Sequence, residues 1–111
     1  AKIFLKSDGS AGEAEAIAKL PGTVPDGVAF DSSGTLYVAC YRPDRIYRIP
    51  PTGDTQILAD DYEGTLMASP TNIAFCGDNL ETMLAPDLGR WHITRYDADV
   101  TGLPLHYPDL D

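Results

Sequence analysis

The chain has 111 residues, 43% hydrophobic and 23% charged, with 17 acidic against 8 basic side chains and a formal net charge of −9. That length suits one compact domain and is too short for two. So acidic a surface repels phosphate backbones, which excludes nucleic acid as a partner, and no apolar run approaches the roughly 20 residues that cross a bilayer, which excludes a membrane-spanning helix.

In chain order, "KIFLKSDGSAGEAEAIAKL" predicts two strands around a Gly/Ser-rich turn. Ala, Glu and Lys in "GEAEAIAKL" favour helix, but so short a run before Pro-Gly has little to support one, and the segment is assigned to strand. "GVAFD" then predicts a strand, "SSG" a hairpin turn and "TLYVACY" the paired strand. "RIYRI" and "TQILA" follow as third and fourth strands, separated by the turn "PPTGD". "NIAFC", "ETMLA" and "HITRY" repeat the first three, and "GLPLHYP" begins a proline-rich tail. Cys40 and Cys76 lie in the apolar contexts "YVACY" and "IAFCG" and read as small buried residues, not as a disulfide. No secretory leader is visible at Ala1, so the expected location is cytoplasmic.

The order of strands is written twice. Pro25 falls on Pro70, Asp26 on Thr71, Gly27 on Asn72, Ala29 on Ala74 and Phe30 on Phe75, an offset of 45 residues. The offset grows to 46 where "YVA" meets "MLA" and to 47 where Arg48 meets Arg95, as short loop insertions would make it. Four short antiparallel strands in about 40–45 residues is the signature of a β-propeller blade. Both alternating sets of "LYVACY" are apolar, as in a sheet covered on each side. A two-sheet sandwich is the competing all-β architecture, and it leaves the repeat unexplained. The expected fold is therefore all-β, a partial six-bladed β-propeller of two to two-and-a-half blades. Its parts are the outer strands of an incomplete blade (1–21), a complete blade (22–67), and a final blade with the tail (68–111), all in one domain.

In such a blade the start of strand one and the loop between strands two and three emerge on the same ring face. Asp26, Thr71 and Asn72 are expected there, beside the loops "YRPDR" and "PDLGR". "DSSG" falls on the opposite face and reads as a structural turn. Carboxylates gathered around a central channel ionise together only when a cation joins them. Oxygen donors from Asp, Asn and Thr suit a hard divalent cation, calcium, magnesium or manganese, with zinc as a further option. On the residues alone, Asp26 reads first as an Asp-Gly turn before a strand and Arg42 first as a solvated loop arginine, while Thr71 and Asn72 read as well as a strand-entry turn. Trp91 and His92 read as packing residues, and His106 lies in the tail. No G-x-S-x-G elbow or Ser/His/Asp set is present, which argues against a serine nucleophile.

"VPDGVAFDSSGTLYVACYRPDRIYRI", "SPTNIAF" and "LGRWHITRYD…GLPLHYP" resemble the regucalcin (senescence marker protein)/gluconolactonase family of six-bladed propellers. The resemblance covers essentially the whole chain and corresponds to the carboxy-terminal two to two-and-a-half blades. It implies a divalent metal at the channel mouth, calcium first, and hydrolysis of sugar lactones; related propellers also hydrolyse phosphotriesters. The family holds its metal with a Glu of the first blade, an Asn of a middle blade and the Asp of a "PDG" element. Asp26 alone matches that set. The implied role of Asp26 is metal ligand and base toward water, with Thr71, Asn72 and Arg42 lining the channel or holding substrate. Six blades need on the order of 250 residues at the usual blade length. The expectation is therefore a part of a lactonase, with two or three chains closing a ring as a homo-oligomeric option. The alternative is a non-catalytic partial propeller acting as an assembly module.

Overall fold

A computed structural model describes residues 1–107. Among these residues nine strands form three antiparallel sheets. The first holds β1 (Lys2–Leu5) and β2 (Ala11–Glu15), joined by a turn in which the Asp8 carboxylate accepts hydrogen bonds from the Ser10 amide and hydroxyl. The second is the four-stranded meander β3 (Val24–Phe30), β4 (Leu36–Arg42), β5 (Asp44–Ile49) and β6 (Gln56–Asp60). The third is β7 (Ala74–Cys76), β8 (Thr82–Pro86) and β9 (Ile93–Asp97). There is no helix among the described residues, and none long and apolar enough to cross a membrane.

β4 shows why the sheets stack as they do. It runs buried along most of its length because each of its faces meets a different neighbour. Tyr37 and Ala39 pack with Ile46, Met67, Ile73, Met83 and Ala85, in a core shared with the third sheet. Val38 and Cys40 pack with Tyr47 and Ile49 against Ile17, Ala18 and Leu20, which lead out of β2. Alternate residues of one strand thus enter two cores, as the blade of a propeller requires. The fold is a partial β-propeller. Its radius of gyration of 15.0 Å and extents of 47 × 36 × 24 Å describe an open arc, since a compact domain of this length would have a radius near 13 Å. Both cysteines are free, Cys40 buried and Cys76 half-buried.

The arc ends in two uncovered faces. Val28 (54% exposed) and Phe30 (41%) lie on the side toward the first sheet, and Ile93 (61%) lies on the far side of the third. Trp91, expected to be a packing residue, is fully exposed in the bend before β9, outside the strand pairing that carries its neighbours.

Candidate metal and substrate site

Asp26 does not sit in a turn before the strand, as its Asp-Gly context suggests. It lies within β3, where the pairing steps from Pro25↔Cys40 to Val28↔Val38. Three residues advance on β3 against two on β4, which is a β-bulge, a device that bends a strand and re-aims a side chain. Gly27 makes the bulge useful. Its amide donates to the Thr71 carbonyl at 2.8 Å, joining the second sheet to the third. A Cβ on Gly27 would overlap Asn72 Oδ1 and Cα, so only glycine permits this approach.

The bulge therefore brings three of the sequence-predicted residues together. Asp26 is exposed, and its carboxylate makes no side-chain hydrogen bond among the described residues. Thr71 is half-buried, its amide donating to the Pro86 carbonyl at 3.1 Å. Asn72 is exposed, and its Oδ1 accepts from the Ile73 amide at 2.8 Å. Arg42 stands at the same end of the second sheet, paired with Val24 across β3 and β4, and is exposed. It lies on β4, one strand out from Asp26 on β3.

Two acids that sequence reasoning did not single out hold the segment that carries Thr71 and Asn72. Asp61 ends the run out of β6, and its Oδ2 accepts from the amides of Thr65, Leu66 and Met67 at 2.9, 2.7 and 3.0 Å. These amides, Met67 and Leu66 foremost, hold its pKa at about 2, below the ordinary 3.8. Asp87, with its side chain fully buried, accepts from the Ala68 amide at 2.8 Å and from the Thr94 hydroxyl at 2.7 Å. His92 does take a structural role, with Nε2 2.9 Å from the Leu66 carbonyl and 3.3 Å from Asp87 Oδ2. Arg90 Nε donates to the Gly64 carbonyl at 3.0 Å. The only sequence signal for this clasp is "PDLGR", a polar loop beside the site.

A pH prediction follows. The folded pKa of Asp61 is depressed, so its contribution is complete above the unfolded value near 3.8 and is lost as pH falls toward about 2. Hydrogen exchange should show the Leu66 and Met67 amides losing protection across that window, before the Ile46 amide of the central sheet. Equal loss at all three would remove Asp61 as the local lock.

The opposite end of the sheet is structural, as "DSSG" suggests. Asp31 is 2% exposed. It accepts from the Ser33 amide and hydroxyl, the Thr35 amide and the Tyr37 hydroxyl. Oδ1 takes the three bonds from the turn, and Oδ2 takes the one from Tyr37 on β4.

As a cation site, the mouth is partial. The donors are oxygens, and the Asp26 carboxylate is uncommitted, which suits a hard divalent ion. Among the described residues, however, no three His, Cys, Asp or Glu side chains gather closely enough to hold a metal. Asp26 offers one uncommitted carboxylate, whereas calcium takes six to eight oxygens, so the described residues alone fall short of a complete shell.

No curated protein matches the chain significantly. The family model described as "SMP-30/Gluconolactonase/LRE-like region" matches residues 3–85. That span runs from within β1 into β8 and includes Asp26, Arg42, Thr71 and Asn72, with β9 and the tail beyond it. It is well over half of the 111 residues, and the chain belongs to the SMP-30/Gluconolactonase/LRE-like family.

Proposed function

We propose that this chain is a metal-dependent hydrolase of sugar lactones of the gluconolactonase type, or a part of one, with Asp26 as its ligand to the metal. The observation that carries the reading is the uncommitted Asp26 carboxylate, exposed on a bulge that is pinned to Thr71 beside Asn72. The fold has no need of an acid there, since Thr71 stands at the corresponding place of the next repeat. A divalent cation, calcium before magnesium, manganese or zinc, would supply polarisation of the lactone carbonyl and activation of water. Asp26 would hold the cation and accept the proton that the water gives up as it opens the ring to a hydroxy acid. Thr71 and Asn72 would line the mouth, and Arg42 would donate hydrogen bonds to substrate hydroxyls from the rim.

The test is hydrolysis of a sugar lactone by the full chain, with added calcium and with chelator. Metal-dependent turnover should be lost in Asp26→Ala, while the melting curve stays within about 0.5 kcal/mol because the side chain is exposed. Turnover that ignores both the metal and the substitution would sink the reading. The exposed faces at Val28, Phe30 and Ile93 favour a second one, a partial propeller that assembles with other chains. Light scattering beside the lactone assay separates the two. Two or three chains with metal-dependent turnover support the first, and chains that associate without turnover support the second.

A further inference from the structure

The two sheets that bear the candidate site are joined at both ends of their inner strands. At the Asp26 end the Gly27 amide donates to Thr71. At the other end the segment after β9 returns across both sheets. The Ser32 amide donates to the Thr101 carbonyl at 2.8 Å, and the Leu103 amide donates to the carbonyl of Phe30, the last residue of β3, at 2.9 Å. Between them the Gly102 amide donates to the Leu80 carbonyl, in the hairpin between β7 and β8, at 2.8 Å. One short strap thus bonds to the lower edges of two neighbouring sheets.

Gly102 is buried, and a Cβ there would fall on Phe75 Cβ and Cγ, far inside contact distance. Phe75 in turn meets Tyr37 edge to face, with ring centroids 5.4 Å apart, and the Tyr37 hydroxyl donates to Asp31. Contact therefore runs unbroken from the strap through a β7 side chain to the core of the second sheet. Two packed sheets tethered at a single point can pivot, and a second tether at the far end fixes the angle between them. Close packing transmits a displacement at one end because the interior has little slack.

We infer that Gly102 and the strap around it are positioning elements for the site. They set the wedge between β3 and β7, and so the approach of Gly27 to Asn72 that holds Asp26 at the mouth. The functional consequence rests on the proposed role of Asp26, whereas the geometric one does not. This separation decides the experiment.

The full chain carrying Gly102→Ala is followed by amide hydrogen exchange and by calcium titration. Gly27 exchange should accelerate by about tenfold or more, while the Ala39 and Ile46 amides inside the second sheet keep their protection. Leu103→Pro, which removes one strap donor without adding bulk at position 102, should accelerate Gly27 exchange as well. An unchanged Gly27 rate in both single variants would overturn the inference, as would equal acceleration at Ala39 and Ile46. Calcium affinity should fall in step with Gly27 protection. If the unaltered chain binds no calcium while the exchange pattern appears as described, the metal reading fails and the positioning inference stands.

Discussion

Replacing Asp31 by alanine is expected to cost about 3–4 kcal/mol of folding free energy, close to the top of what one residue contributes. The carboxylate is 2% exposed and takes hydrogen bonds from two amides and two hydroxyls at 2.6–3.1 Å. Removing it leaves the Thr35 amide and the Tyr37 hydroxyl buried without their carboxylate partner, and each lost partner costs the desolvation of its donor. Burial raises the Asp31 pKa, but the bonds from Ser33, Thr35 and Tyr37 outweigh it and the net shift is downward. The folded state is therefore favoured above the unfolded value near 3.8, and that benefit is lost as pH falls through the lowered folded value. Tyr37 sets the alkaline counterpart. Burial first, and then the bond to Asp31, push its pKa up to about 12, so its stabilisation holds below about 10 and fades above that. Urea midpoints across pH, for the native chain and Asp31→Ala, should converge at low pH. Parallel curves would contradict this role for the turn.

Gly27→Ala is expected to destabilise the fold by about 1–3 kcal/mol, the usual cost of forcing a methyl into a filled space. The added Cβ would meet the Cα of Asn72 as well as its side chain, so rotation of the asparagine alone cannot relieve the overlap. The sheets must separate at the mouth, breaking the Gly27–Thr71 hydrogen bond and moving Asp26 away from Thr71 and Asn72. The substitution should therefore weaken cation binding more than any change of similar stability cost in the core. Asn72→Gly in the same chain should return part of both losses by removing the obstructing side chain. Thermal melts and calcium titration of the two variants measure these effects. Normal binding in a destabilised Gly27→Ala would show that the sheet contact does not govern the site.

The central strands were legible because they carry their own evidence of burial. "LYVACY" is apolar at every alternate phase, and β4 is indeed covered on both sides. The repeat located Asp26, Thr71 and Asn72 at one end of the sheets, where the Gly27–Thr71 bond joins them. The bulge was not legible, because it depends on how β3 registers against β4, and "PDG" reads locally as a turn. Nor were the clasps at Asp61 and Asp87. Arg90 reaches Gly64 and His92 reaches Leu66 across 26 residues, and local sequence carries no sign of such pairings. Trp91 misled for a related reason. Its size suggests a core, yet it stands fully exposed in the bend before β9. The tail hid its function as well, since "TGLPL" has the composition of a loop but bonds to two sheets at once.

Calcium titration of the full chain by calorimetry, beside Asp26→Asn, tests most directly whether this acid is there for a cation. The asparagine keeps the shape and one oxygen while removing the charge. The native chain should bind calcium with a dissociation constant of about 0.1–1 mM, the range of sites short of ligands, and Asp26→Asn should bind at least about tenfold more weakly with its melting curve unchanged. Equal heats from the two proteins would contradict the account.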